Sequence, residues 1–285
     1  MSPRREKAAV GYIPLLMEAN AAENARWNDD AWTKEWPKRE VLTNSVTPVL
    51  LEALQLRPGQ RLLDVGCGGG KATMAACRQV QPGGSAVGVD ISGALLALAA
   101  ERALGVTAIS WQQTDMQTGT VPGGPFDTVM SQFGVMFFDE PVTAFANIRR
   151  HVARGGRLGF ACWQALDRNP WFPGPAVAPY VAAPAPPAAG KSPTGPFALG
   201  DPDRVRRILT EAGFESVDLD LRSHEVEAPD TAISDDARLA LMGVTPGDMD
   251  DARRAVASMI EPFRLADGRY RFPLAYQIVT AVPAG

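Results

Sequence analysis

From residue 61 onward, apolar residues gather in short runs: Arg61–Val65, Ala86–Asp90, Thr107–Gln112, Phe126–Met130 and Arg157–Cys162. Runs of this length suit strands buried on both faces, as in a parallel sheet. Helix-length segments separate them. One spans Lys71 to Val80 and is closed by Pro82-Gly83-Gly84. A second is capped by Ser92 and runs to about Leu104. A third runs from about Glu140 to Ala153. This alternation predicts a doubly wound α/β sheet with helices on both faces. Residues 1–60 read as helical, with one helix from about Arg39 to Leu54, bent near Pro48 and ended by Pro58-Gly59. Regularity resumes late, with a helix at Asp203–Ala212, a strand at Ser216–Val226, helices over 233–265 and a last strand at Tyr270–Val282.

Between these halves the pattern fails. Residues 170–202 hold ten of the 24 prolines and only two charges, Lys191 and Asp201. Such a segment is neither a central strand nor a long helix. Two readings stay open, a floppy surface loop or an ordered lid, and Trp171, Phe172, Tyr180 and Phe197 suit a lid. The expected organisation is an N-terminal helical lid (1–56), a core (57–163), a Pro-rich insert (164–202) and a C-terminal completion of the sheet (203–285) with a helical insert at 230–266.

Composition narrows the function classes. With 28 basic and 32 acidic residues the net charge is −4, too balanced to mark a nucleic-acid binder. No apolar run is long enough to predict a transmembrane helix. Three cysteines, Cys67, Cys77 and Cys162, make neither a disulfide framework nor a cysteine zinc site, and two histidines leave no multi-histidine metal site. A cytoplasmic protein without metal, monomeric or homodimeric, is expected. Arg4, Arg5 and Lys7 ahead of an uncharged run to Met17 outline a secretory signal, but Glu6, Gly11 and Pro14 interrupt it. A short N-terminal helix lying on the body is the better expectation. Trp27, Trp32 and Trp36 cluster after it; Trp32 and Trp36 are four apart and share a helix face, as a staple onto the core or as part of a lid over a pocket.

The sharpest signal is Leu62-Leu63-Asp64-Val65-Gly66-Cys67-Gly68-Gly69-Gly70, where the first strand turns into a helix. Glycines there permit a tight turn and close approach of a ligand to backbone amides. A phosphate-binding P-loop fails, because Ala72 follows Gly70-Lys71 and Val65 stands where the first glycine should be. A dinucleotide fingerprint fails because Lys71 or Thr73 occupies its last glycine position. The spacing G-x-G-x-G fits Gly66, Gly68 and Gly70, with Asp64 two places before.

On these residues the chain resembles the class I S-adenosylmethionine (SAM)-dependent methyltransferases, and most of all the bacterial branch related to ubiquinone/menaquinone-biosynthesis C-methyltransferases. The resemblance covers about residues 20–285. Further motifs follow in order: Val87-Gly88-Val89-Asp90-Ile91-Ser92, Thr114-Asp115-Met116, and Phe126-Asp127 through Ser131-Gln132-Phe133-Gly134-Val135-Met136-Phe137-Phe138. Arg154-Gly155-Gly156-Arg157-Leu158 matches the turn into strand five, with Arg154 where proline is common. Asn169-Pro170-Trp171 and Gly195-Pro196-Phe197 also recur in the family. The resemblance implies a seven-stranded Rossmann-like sheet in the order 3-2-1-4-5-7-6 with the last strand antiparallel.

It also implies SAM as cofactor and S-adenosylhomocysteine as product. Gly66, Cys67 and Gly68 would hold the aminoacid end, with Asp64 or nearby carbonyls accepting from its ammonium. Asp90 would take the ribose hydroxyls and Ile91 would cover adenine. Asp115 and Met116 would meet the adenine edge, and Ser131 to Gly134, Phe133 among them, would line the floor beside the sulfonium. Trp27, Trp32, Phe133, Met136, Phe137, Trp163, Trp171 and Phe172 would form an apolar, aromatic acceptor pocket, suited to a quinone-like or secondary-metabolite acceptor rather than a polymer. Aligning a nucleophile with an activated methyl requires no fixed catalytic motif. His224 is the candidate base by chemistry, although alternation of Val217, Leu219 and Leu221 places it on the polar face of its strand. His151 at a helix end suits a dipole contact better. Tyr12, Glu18 and Tyr180 have only lid positions in their favour. Two other readings remain: a SAM-fold protein with non-methylating chemistry, such as a cyclase or decarboxylase, and a nicotinamide-dependent oxidoreductase.

Overall fold

The computed structural model describes residues 21–182 and 194–285. Its centre is one seven-stranded sheet in the order β3-β2-β1-β4-β5-β7-β6. The strands are β1 (Arg61–Val65), β2 (Ser85–Asp90), β3 (Ile109–Gln113), β4 (Phe126–Gln132), β5 (Val152–Trp163), β6 (Phe214–Ala228) and β7 (Tyr270–Pro283). β1 lies parallel between β2 and β4, while β7 runs antiparallel to both β5 and β6. The expected fold and strand order therefore hold. Strands β1, β2 and β4 place Leu62, Leu63, Val65, Val89, Val129 and Met130 in the buried core. Each such side chain contributes about 1.5–3 kcal/mol by leaving water.

The helices are α1 (Ala21–Trp27), α2 (Asp30–Thr43), α3 (Thr47–Leu54), α4 (Lys71–Val80), α5 (Gly93–Arg102), α6 (Pro141–His151), α7 (Gly174–Val177), α8 (Pro202–Glu211), α9 (Thr231–Ser234), α10 (Asp236–Leu241) and α11 (Met249–Ile260). α4 and α5 connect β1, β2 and β3, and α6 connects β4 to β5. The single helix expected over 39–54 is two helices. α2 begins nine residues earlier, a 3₁₀ turn at Asn44–Val46 intervenes, and Pro48 enters the first turn of α3. Proline lacks an N–H, so it starts a helix more readily than it continues one. α3 packs across β4, β5 and β7; Leu54 lies over Gly159, where a Cβ would come within 2.5 Å of its Cδ2.

β6 changes its covered face along its length. Val217 and Leu219 are half-buried on the side that packs against α8, whereas His224, Val226 and Ala228 are shielded on the other side. Leu221, expected to point inward, is 55% exposed because it lies past the end of α8 cover. The strand keeps one register with β7 from Asp218 to Ala228, so the change comes from what covers the strand and not from a slip.

The described part of the Pro-rich insert is ordered by Asn169, which has no exposed surface. Its side-chain amide pairs with the β7 backbone as a strand residue would. Nδ2 donates to the Ala275 carbonyl at 2.9 Å, and Oδ1 accepts from the Ala275 amide at 3.0 Å. The same Oδ1 accepts from Trp171 Nε1 at 3.1 Å, which fixes that ring. The Gly195 amide returns to the Met136 carbonyl at 3.3 Å.

Candidate functional site

A cavity of about 270 Å³ opens where β1, β2 and β4 end and the N-terminal helices cross above. Two kinds of wall meet in it. One is the glycine loop with the ends of β2 and β3; the other is aromatic.

Local chemistry shapes the first wall. Gly66, Gly68 and Gly70 have φ of +68°, +53° and +78°, values that only glycine adopts without strain. The Gly66 and Cys67 amides donate to the Val89 carbonyl, bending the loop back onto β2. Asp90 closes the arrangement: Oδ2 accepts from the Gly68 amide at 2.8 Å and Oδ1 from the Ser92 amide at 2.9 Å. Ser92 Oγ caps α5 by accepting from Leu95 N and donates to the Trp27 carbonyl at 2.6 Å. Asn28 Oδ1 accepts from the Gly93 amide at 3.0 Å. The end of α1 is thereby tied to the turn after β2.

Asp64 lies below the loop with 1% of its surface exposed. Its Oδ2 accepts from Thr73 Oγ1 at 2.6 Å, while Oδ1 is buried with no hydrogen-bond partner. Burial pushes its carboxyl up to about 7, with Asp90 adding to the rise and Thr73 opposing it. A buried carboxylate oxygen left without a donor is costly. It lines the cavity, and an ammonium there would satisfy it. On this ground the loop fits the aminoacid end of SAM. Burial also raises the Asp90 carboxyl, against hydrogen bonds from the Ser92 and Gly68 amides. Burial likewise raises the Cys67 thiol, an inert wall residue.

Of the residues assigned to the cofactor from sequence, Asp64, Gly66, Cys67, Gly68, Asp90, Ile91, Asp115, Met116 and Phe133 line the cavity. Ser131 does not. It is fully buried below the loop, where its Oγ accepts from the Gly134 amide at 3.2 Å and shapes the turn beside the cavity. Asp115 Oδ1 accepts from the Gln117 amide at 2.8 Å, which folds the loop after β3.

The second wall holds Trp27, Met136, Phe137, Trp163, Trp171 and Phe172, all residues expected in the acceptor pocket. Phe133, at φ +60°, stacks on Trp163 with centroids 4.1 Å apart, and Trp163 meets Trp171 edge-on at 5.2 Å. Trp27 meets Phe137 at 5.1 Å and Trp36 at 6.2 Å. The Trp32 side chain, together with Tyr12 and Glu18, lies outside the described residues. Tyr180 is not among the cavity-lining residues.

His224 is not placed as a base. It does not line the cavity; Nε2 is 2.7 Å from Ser45 Oγ and Nδ1 is 3.2 Å from the Tyr276 hydroxyl. It bridges the 3₁₀ turn after α2 to β7, and burial lowers its pKa. The sequence placed it on a polar face because nothing in β6 itself reveals Ser45 across 179 residues. His151 is also structural: Nε2 accepts from the Val121 amide, so Nδ1 carries the proton donated to the Asn147 carbonyl.

Sequence reasoning missed a clamp over the loop. Trp36 lies against Gly68, where a Cβ would be 2.7 Å from its ring, and donates through Nε1 to Glu40 Oε1 at 2.6 Å. Glu40 also takes Arg102 through both oxygens, at 2.7 and 3.0 Å, and Lys71 at 2.9 Å. Arg102 reaches the Gly69 carbonyl at 2.8 Å. The spacing Trp36-x-x-x-Glu40 was visible on one helix face, but its partners on α4 and α5 were not. Also missed was a buried ion pair from α2 to the C-terminal helices, Arg39 Nη2 to Asp235 Oδ1 at 2.7 Å.

Comparisons with known proteins agree with this geometry. A family profile described as "Methyltransferase domain" matches residues 62–156. Nocamycin O-methyltransferase of Saccharothrix syringae is 34% identical over 198 residues, covering 63% of this chain and 69% of that protein. Aklanonic acid methyltransferase DauC of Streptomyces is 34% identical over 104 residues, 36% of this chain and 47% of that one. Among solved structures, the YcgJ protein of Bacillus subtilis shares the fold at TM-score 0.58 and 14% identity, covering 85% of this chain and 99% of that one. These relatives do not carry the quinone-biosynthesis branch. The motifs, the strand order and the match to nocamycin O-methyltransferase together place the chain in the class I SAM-dependent methyltransferases.

Proposed function

We propose that the chain transfers the SAM methyl to a small, apolar, aromatic acceptor of secondary metabolism. One observation carries this reading: a single cavity has the glycine loop on one side and the Phe133–Trp163–Trp171 stack on the other. Two of the relatives are named for nocamycin and aklanonic acid.

Bound SAM supplies an already activated methyl group. Asp64 would hold its ammonium, Asp90 would meet the ribose, and Ile91, Asp115 and Met116 would flank the base. The aromatic wall would orient the acceptor ring and exclude water. No histidine lines the cavity among the described residues, which supports catalysis by alignment, with an acceptor acidic enough to need no strong protein base. We further propose action in the cytoplasm, supported by three buried, free cysteines, and a monomer or homodimer without nucleic-acid partners. Among the described residues no helix is long and apolar enough to cross a membrane.

The test is incubation of purified protein with SAM and a panel of aromatic acids, phenols and quinols, read by mass spectrometry. Gain of one methyl with release of S-adenosylhomocysteine supports the reading. SAM binding without methyl gain on any of them would point to non-methylating chemistry.

A further inference from the structure

One cation in the cavity wall has no duty in this mechanism. Arg238 lines the cavity from α10. α9 and α10 follow the end of β6, which pairs with the start of β7, and β7 runs antiparallel to β5. Arg238 therefore stands at the end of the sheet where β5 delivers Trp163, the acceptor half and not the half over β1 and β2. Its Nη1 donates to the Ala232 carbonyl at 2.6 Å. Among the described residues its guanidinium forms no ion pair. The Asp235 carboxylate attracts Arg238 but makes no bond to its guanidinium: Oδ1 takes Arg39 Nη2 at 2.7 Å and the Arg238 backbone amide at 2.9 Å, while Oδ2 is buried without a partner. Guanidinium donors are thus left over beside an aromatic wall. Burial and the Arg39 charge bring Arg238 down to about 10, against the attraction of the Asp235 charge, and it stays cationic at neutral pH. Arg238 is half-buried and its remaining donors are not sealed off, so they stay available to a ligand in the cavity. Planar guanidinium donors match an anionic oxygen group better than a neutral amide or an apolar edge.

We infer that Arg238 determines acceptor specificity by binding an acidic oxygen group, a carboxylate or an ionised phenol, carried on an apolar ring body. This rests on the methyl-transfer reading and narrows its substrate class. Arg238 would hold one end of the acceptor while the ring lies against Phe133 and Trp163.

The test uses the full chain saturated with S-adenosylhomocysteine and calorimetric titration of 1-naphthoate, 1-naphthol and 1-naphthamide. Wild type should bind naphthoate at least tenfold more tightly than naphthamide. Arg238→Gln should erase that preference, Arg238→Lys should keep part of it, and both should bind S-adenosylhomocysteine as wild type does, which also shows that they fold. A naphthol preference that grows above its ionisation pH and vanishes in Arg238→Gln would assign the phenol in place of the carboxylate. Naphthoate binding no tighter than naphthamide, together with no ionisation-dependent preference for naphthol, absence of all binding included, would overturn the inference and leave methyl transfer intact. So would weakened S-adenosylhomocysteine binding in Arg238→Gln with naphthoate unaffected, since Arg238 would then serve the cofactor. Failure of wild type to bind S-adenosylhomocysteine would instead overturn the methyl-transfer reading itself.

Discussion

Replacing Asp64 by asparagine should stabilise the cofactor-free protein and weaken its hold on SAM. The carboxyl of Asp64 rises from the ordinary 3.8 to about 7, chiefly through burial. The unfolded chain ionises near 3.8, while the native state resists ionisation up to about 7. A raised native pKa contributes stability that is full below the unfolded value and is lost as pH rises through the folded one. Roughly three pH units at about 1.4 kcal/mol each give a loss of about 4 kcal/mol between pH 4 and pH 7. The amide introduced by Asp64→Asn would still accept from Thr73 and would carry no charge to bury. Urea unfolding of both proteins from pH 4 to pH 8 isolates this difference, because the other titrating groups are shared. The asparagine variant should gain on wild type by about 4 kcal/mol across that window and level off above pH 7. Adding SAM should reverse the order at pH 8. SAM affinity of wild type should rise as pH approaches 7, with proton release that makes the binding heat depend on buffer. Parallel pH curves for the two proteins would refute the argument, as would equal stabilisation by SAM.

Three further outcomes are expected. Gly68→Ala forces φ +53° on an L-residue, at roughly 1–2 kcal/mol, and drives a Cβ to 2.7 Å from Trp36; thermal unfolding should fall and SAM affinity should drop more than tenfold. Glu40→Gln leaves Arg102 and Lys71 without their shared carboxylate; Arg102 and Lys71 keep some contact with water, so the cost should be about 2 kcal/mol, with faster proteolysis near α2 and a raised SAM KM. His224→Ala loses hydrogen bonds to Ser45 and Tyr276, about 1–2 kcal/mol, while kcat stays within twofold; a collapse of kcat in a folded variant would restore His224 as a base.

What the sequence revealed follows the range of the forces involved. β1, β2 and β4 were legible because strands buried on both faces announce themselves by local composition. Asp64, Asp90 and the glycines were legible because one strand–loop–helix unit carries them. Leu221 was misplaced because alternation reports pleat and not cover, and α8 ends short of it. The helix over 39–54 was read as continuous because the apolar spacing runs through a turn that Pro48 reorganises. Glu40 was invisible because Arg102 and Lys71 lie far along the chain; Asn169 stood in a noticed motif, but its pairing with Ala275 of β7 was not legible, and a half-buried guanidinium such as that of Arg238 leaves no periodic mark.

The central claim is that the loop beneath Trp36 is a SAM site and not a dinucleotide site. Calorimetric titration of SAM and of NADH, separately, into wild type and Asp90→Ala tests it most directly. We predict micromolar binding of one SAM per chain, no NADH binding, and a SAM affinity that falls at least tenfold when the carboxylate holding the Gly68 and Ser92 amides is removed. Binding of NADH without SAM would contradict the account and return the chain to the oxidoreductases.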